Sequence, residues 1–270
     1  MSKRLWVLLS ILLIVVFSVA ACQRRQAQQT LETQVGDLGG REIKIGSDTT
    51  YPPFEFVDEQ KNIIGFDPDL IAEICKLANC KPKFTTAAWD GIFVALSQGQ
   101  FDAVVSGVTI TEERKKTVDF TDSYLRYGQV VLVRSDETAI TGLDTLTGKT
   151  VGVQTGTTND EKATSLQKEG KVGTVKRYDT FDVAVTALIN KDLDAVIIDS
   201  PAADGFIATN PGKLQKAGET FTSEDLGVAV KKGDTALINS FNAALKVLKD
   251  NGTLDRLYKK WFEEFKPGQK

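Results

Sequence analysis

One short pattern occurs twice in this chain. Ala95-Leu96, five residues, then Asp102-Ala103-Val104 is matched by Ala187-Leu188, five residues, then Asp194-Ala195-Val196. A helix-to-strand unit repeated about ninety residues apart points to two similar α/β halves, each a lobe. Strand-like runs at residues 43–46, 103–105, 151–153 and 195–198 alternate with helical patterns, which argues α/β architecture with largely parallel sheets. The first helix is marked by Asp67 as cap and Pro68 in the first turn, with Leu70, Ile71, Ile74, Cys75, Leu77 and Ala78 on one face. A second starts near Asp90, turns Ile92, Phe93 and Leu96 inward and stops at Gly99. Near the other end, Leu237, Phe241, Leu245 and Leu248 share a helical face, and a second amphipathic stretch carries Leu254, Leu257, Tyr258, Trp261 and Phe262 as packing residues. Ligands of open α/β sheets bind outside the carboxyl ends of strands. Those ends carry Ser106 and Asp199 here.

The compartment follows from the first residues. Lys3 and Arg4 precede an apolar run over residues 5–21, the layout of an export signal. The run falls short of the roughly 20 apolar residues of a stable membrane span. It ends in Val19-Ala20-Ala21 directly before Cys22, which resembles the bacterial lipobox and implies removal of residues 1–21 and lipidation of Cys22. Residues 22–40 are Gln-rich, lack hydrophobic periodicity and end in Gly39-Gly40, as expected of a disordered tether, so folding is expected to begin near Arg41.

Composition removes several function classes. The sequence has no histidine, which excludes Ser-His-Asp and Cys-His catalysis and the commonest metal ligand. Loss of Lys3 and Arg4 with the signal takes the formal charge from −3 to −5, so nucleic acid is not an expected partner. Cys75 and Cys80, five positions apart in an exported chain, suggest a local disulfide; the alternative is a buried Cys75 with Cys80 free. Two thiols without histidine do not make a zinc site, and no cofactor is implied.

The polar motifs sit where strands end. Residues 47–56 place Asp48, Tyr51 and Glu55 on a loop stiffened by Pro52-Pro53. Trp89-Asp90 precedes a helix. Residues 106–114, Ser-Gly-Val-Thr-Ile-Thr-Glu-Glu-Arg, lead a strand into a helix entrance. Backbone N–H groups there and the planar fork of Arg114 would together hold a carboxylate. The competing reading is that Thr109 or Thr111 only caps the helix while Arg114 pairs with an exposed glutamate. Residues 151–159 repeat the strand-to-helix theme with Gln154 and Thr158 but lack the Gly-Lys-Ser/Thr ending of a nucleotide loop. Asp199 closes an apolar strand, and a buried carboxylate needs a partner such as an ammonium group.

From Arg41 onward, these segments together with Gly65-Phe66-Asp67 and Thr117-Val118-Asp119-Phe120-Thr121 resemble the bacterial extracellular solute-binding proteins of polar amino-acid ABC transporters, of the histidine, lysine/arginine/ornithine and glutamine types. The resemblance implies a two-lobed periplasmic-binding-protein fold of type II with two hinge strands. Lobe one would comprise residues 41–128 and 227–270, lobe two residues 129–226. It also implies that Arg114 and Thr109 hold the ligand carboxylate, Asp199 the α-amino group, Tyr51 and Trp89 the faces of the side chain, and Asp48 its distal end. Gln154 and Thr158 would reach in from lobe two. Gly107 departs from the pattern, standing where the histidine binders carry a second serine, which loosens any expectation of histidine specificity.

The implied mechanism is capture by lobe closure and delivery to a membrane permease, by a lipid-anchored monomer. Two aromatic faces and Asp48 favour a flat cation, so arginine is the expected ligand, with glutamine second through Gln154. Two other classes remain. Some dehydratases are similar in fold and would use Glu55 or Asp199 as proton donor; a sensor module would need further membrane or signalling segments.

Overall fold

The computed structural model describes residues 35–266. The expected signal, Cys22 and most of the tether lie outside them. Among the described residues no helix is long and apolar enough to cross a membrane, and no group of acidic or cysteine side chains is placed to hold a metal ion.

The chain builds β1 (Arg41–Ser47), then a small antiparallel meander of β2 (Thr50–Tyr51), β3 (Glu55–Val57) and β4 (Ile63–Ile64). Helix α1 (Phe66–Ala78) leads to β5 (Cys80–Thr86), and α2 (Ile92–Ser97) to β6 (Ala103–Val104). The one-turn α3 (Glu112–Lys115) precedes β7 (Val118–Phe120), β8 (Leu125–Tyr127) and β9 (Gln129–Arg134). The same plan then recurs. Strand β10 (Thr150–Gln154), α4 (Thr158–Lys168) and β11 (Thr174–Tyr178) are followed by α5 (Phe181–Ile189), β12 (Ala195–Asp199) and α6 (Ser200–Thr209). Strands β13 (Leu214–Ala217), β14 (Glu224–Leu226) and β15 (Ala229–Lys231) precede α7 (Thr235–Asp250) and α8 (Thr253–Tyr258).

Two five-stranded sheets result, ordered β5-β1-β6-β15-β7 and β11-β10-β12-β9-β13. The repeated unit seen in the sequence occupies matching places in them, α2 to β6 in one and α5 to β12 in the other. Each sheet is parallel over three strands and antiparallel at the other two pairings. The mixed character has a topological cause. The chain crosses from the first sheet to the second through β8 and returns through β14, which pair with each other as a two-stranded ribbon, Leu226 of β14 also bridging Thr109. Strands β9 and β15, which follow the crossings, enter their sheets against the direction of the parallel strands.

Local sequence explains most elements. In α1 the residues Leu70, Ile71, Ile74, Cys75 and Ala78 are buried on one face, as their spacing requires. Gly65 precedes this helix because a Cβ there would lie 2.1 Å from the Phe54 carbonyl oxygen. Two sequence expectations change here. Asp67 does not cap α1: it lies inside the first turn, fully buried, and accepts the Gly107 N–H at 2.8 Å. Nor does packed chain wait until Arg41. Val35 and Leu38 pack on the core, and Leu38 N–H donates to Ala78 O at 2.8 Å. Two apolar residues sufficed where the composition of residues 22–40 suggested none. Cys75 and Cys80, at the end of α1 and the start of β5, are joined as a disulfide.

Candidate amino-acid cleft

All ten residues expected at a ligand site, Asp48, Tyr51, Trp89, Ser106, Gly107, Thr109, Arg114, Gln154, Thr158 and Asp199, line one cavity between the two sheets. Its volume is about 320 Å³ including its mouth. Convergence has a simple origin, since Asp48 follows β1, Ser106 follows β6, Gln154 ends β10 and Asp199 ends β12. The carboxyl ends of the central parallel strands of both sheets therefore face one another.

Asp199 is the acid of the second sheet's side. It is buried and accepts from Tyr51 Oη at 2.7 Å, Tyr127 Oη at 2.9 Å and Asn159 Nδ2 at 3.0 Å. Burial, with the nearby Glu224 charge adding to it, raises its pKa from 3.8 to about 6. Asp48, from the other side, accepts from Gln154 Nε2 at 2.6 Å and Thr50 Oγ1 at 2.8 Å. Its pKa is also raised, again chiefly by burial. The Asp48–Gln154 and Tyr51–Asp199 bonds both cross the cleft, as does Trp89 Nε1 to Gly156 O at 3.2 Å. The structure is the closed arrangement of the two sheets.

Arg114 lines the same cavity. One guanidinium nitrogen donates to Thr109 O at 2.8 Å, and the group stands 5.2 Å from the Trp89 ring centre and 4.9 Å from that of Phe93. Among the described residues it forms no ion pair, so the competing reading of a surface Arg–Glu pair does not hold: Glu112 and Glu113 pair with Lys115 and Lys116 instead. Burial pulls its pKa below the ordinary value, yet a guanidinium stays charged. Thr111 is the cap of α3, accepting Arg114 N–H at 3.1 Å. That helix is a single turn, so the backbone field expected at this entrance is slight; the eleven-residue α4, capped by Thr157, supplies the longer dipole from the other side.

Below the cavity floor lies a sealed acid cluster. Ser106 Oγ accepts Asp48 N–H at 3.0 Å and donates to Glu55 Oε1 at 2.7 Å, so this hydroxyl positions the Asp48 loop. Glu55 and Asp67 are both fully buried. Burial and their mutual repulsion hold the Glu55 carboxyl well above the usual range, and burial raises Asp67 from 3.8 to about 6. Gly107 is needed for its backbone, with φ of +53° and an N–H aimed at Asp67.

Four residues of importance escaped the sequence reading. Thr157, Asn159 and Phe181 also line the cavity. Phe181 stacks on Tyr51 with ring centres 5.1 Å apart, so both faces of Tyr51 are covered, by Phe54 and Phe181. The expected stacking of Tyr51 on a ligand side chain is therefore not open in this closed arrangement; its hydroxyl is given to Asp199 instead. A signal for it existed: the shift of 92 residues that takes Ala95 to Ala187 also takes Trp89 to Phe181. The fourth, Glu224, comes from β14. It accepts from both Thr109 Oγ1 at 3.0 Å and Thr158 Oγ1 at 2.9 Å. Nothing in its local sequence marks it.

Comparison with known proteins agrees with this architecture. The chain is 35% identical over 225 residues to the probable histidine-binding protein of Neisseria gonorrhoeae, covering 83% of this chain and 84% of that one. It is 35% identical over 234 residues to ABC transporter arginine-binding protein 1 of Escherichia coli (strain K12), covering 85% and 94%. The solved structure of an ancestral arginine-binding protein bound to arginine superposes with a TM-score of 0.78 at 40% identity, over 82% of this chain and 98% of that one. Residues 43–264 match the family model, and the two-lobed chain thus belongs to the bacterial extracellular solute-binding proteins, family 3.

Proposed function

We propose that this protein is the binding component of an ABC importer, that it captures a basic amino acid, arginine first, by closure of its lobes, and that it releases it to a permease without chemical change. The observation that carries this reading is the charge layout of one cavity. A single cation, Arg114, lines the cavity together with the carboxylates of Asp199 and Asp48. An α-amino acid presents a carboxylate and an ammonium a few ångströms apart, which fits Arg114 and Asp199; a third, cationic group on the side chain fits the carboxylate of Asp48, with Trp89 and Phe181 in the same lining. Relatives named for arginine and histidine binding support the same class. Glutamine is the second reading, because Gln154 beside Asp48 is suited to a side-chain amide.

In this mechanism the ligand first meets Arg114, the Thr109 backbone, Tyr51 and Trp89, and closure then adds Asp199, Asn159 and the Thr158 backbone, the two threonine hydroxyls being given to Glu224. Water leaves as the sheets approach, so each ion pair strengthens in a medium of lower dielectric. The acid that a dehydratase would need is poorly placed. Glu55 is sealed under Ser106 outside the cavity lining, and Asp199 is held by three donors. The lobes would be residues 41–128 with 227–270 and residues 129–226, extended at the start to Val35. Export and anchoring would rest on residues 1–21 and Cys22, holding a monomer on the outer side of a bacterial membrane.

The test is a thermal-shift screen of the twenty amino acids and ornithine, followed by calorimetry. L-Arginine should give the largest stabilisation. Stabilisation by aspartate or leucine alone would refute the cationic pocket, and turnover of prephenate or arogenate seen by mass spectrometry would refute binding without chemistry.

A further inference from the structure

Glu224 is a carboxylate for which the capture chemistry just described has no use, yet four side-chain donors converge on it. Its Oε2 accepts from Thr109 Oγ1 at 3.0 Å and Thr158 Oγ1 at 2.9 Å. Its Oε1 accepts from Gln129 Nε2 at 2.7 Å and Thr222 Oγ1 at 2.9 Å. Gln129 and Thr222 flank the crossing strands β8 and β14, so that oxygen is tied to the hinge. The other oxygen joins two hydroxyls carried by opposite sides of the cleft: Thr109 follows β6 of the first sheet, and Thr158 opens α4 of the second. Each hydroxyl has one proton, and both protons point to Glu224.

We propose that Glu224 is a positioning residue that fastens the closed lobes, its carboxylate holding Thr109 and Thr158 from either side of the cleft. A charged acceptor at the pivot suits this task. Rotation about β8 and β14 moves Glu224 little but separates Thr109 from Thr158, so opening must break at least one hydrogen bond to an anion. A bond of that kind is stronger than one between neutral groups. Closure is in this way partly preset before a ligand arrives, and a ligand need supply only the remainder of the difference between the two states. The same carboxylate fixes the rotamers of two threonines that line the cavity.

The effect on ligand release rests on the amino-acid reading above, whereas the effect on the ligand-free protein does not, and the experiment keeps the two apart. In the ligand-free full chain, hydrogen–deuterium exchange read by mass spectrometry follows residues 106–114 and 154–161, which face each other across the cleft. Glu224→Gln keeps the volume but offers one acceptor oxygen where four donors converge. Exchange of both segments should rise by about tenfold, the worth of one charge-assisted hydrogen bond, while α1 exchanges as before. Adding Thr158→Val to Glu224→Gln should raise it no further, a non-additivity that loose packing would not produce. Stopped-flow Trp fluorescence with L-arginine should show faster release with little change in capture rate. Unchanged exchange in Glu224→Gln would overturn the proposal. If that variant proves unfolded, Thr158→Val alone, which cuts one side of the bridge, must accelerate both segments, and its failure to do so would overturn it equally. Altered exchange in a protein that ignores L-arginine would uphold the bridge and refute the ligand.

Discussion

Replacing Arg114 by alanine separates anchoring of a ligand carboxylate from packing of the cleft. The guanidinium spends one donor on Thr109 O and lies against the Trp89 and Phe93 rings, which fix its plane and leave the other donors for a ligand. Burial lowers its pKa, which marks a desolvated charge that solvent screens weakly. Truncating one partner of a buried, hydrogen-bonded charge pair costs about 2–5 kcal/mol. Arg114→Ala should therefore weaken L-arginine binding by about 30-fold to several thousand-fold. Arg114→Lys, which keeps the charge and loses the fork, should fall between the two. The assay is calorimetry with L-arginine and with agmatine, which has the guanidinium and lacks the carboxylate. For agmatine the alanine variant should lose little, because no carboxylate is left stranded. Equal losses for both ligands would mean that Arg114 acts through Trp89 packing, and an unchanged L-arginine affinity would refute the anchoring role altogether.

The cleft acids should impose opposite pH trends on stability and affinity. Asp199 and Asp67 both rise from 3.8 to about 6 on folding, so between those values the folded state binds more protons than the unfolded. Ligand-free stability should then increase as pH is lowered from 7 towards 5, each acid contributing at most roughly 3 kcal/mol, while affinity for an ammonium-bearing ligand falls as Asp199 protonates. A melting temperature that declines from pH 7 to 5 would contradict the burial argument. Gly205 of α6 approaches the loop of the other lobe so closely that a Cβ would lie 2.3 Å from the Pro52 carbonyl oxygen. Gly205→Ala should hinder closure and cost about 1–3 kcal/mol in binding, checked by calorimetry; an unaltered affinity would show that the cleft closes differently. Reducing the Cys75–Cys80 bond opens a short loop between α1 and β5, with an expected loss of about 2 kcal/mol in denaturant titration and no change in ligand preference.

The two-fold plan and the strand ends that line the cavity were legible in the sequence. The α2–β6 and α5–β12 repeat was legible because helix and strand periodicities are local, and strand-exit positions named Asp48, Ser106, Gln154 and Asp199 without reference to any distant residue. Local signals also misled where burial intervened: Asp67 has the chemistry of a cap, but Gly107 N–H draws it inside. The sharing of charge across the cleft arises from tertiary packing. Tyr51 reaches Asp199, Gln154 reaches Asp48, and Glu224 gathers Thr109 with Thr158. These partners lie 66 to 148 positions apart in the chain. No local pattern encodes such distances. The strength of each bond depends on the water expelled when the two sheets meet, which is a property of the closed surface and of no single segment.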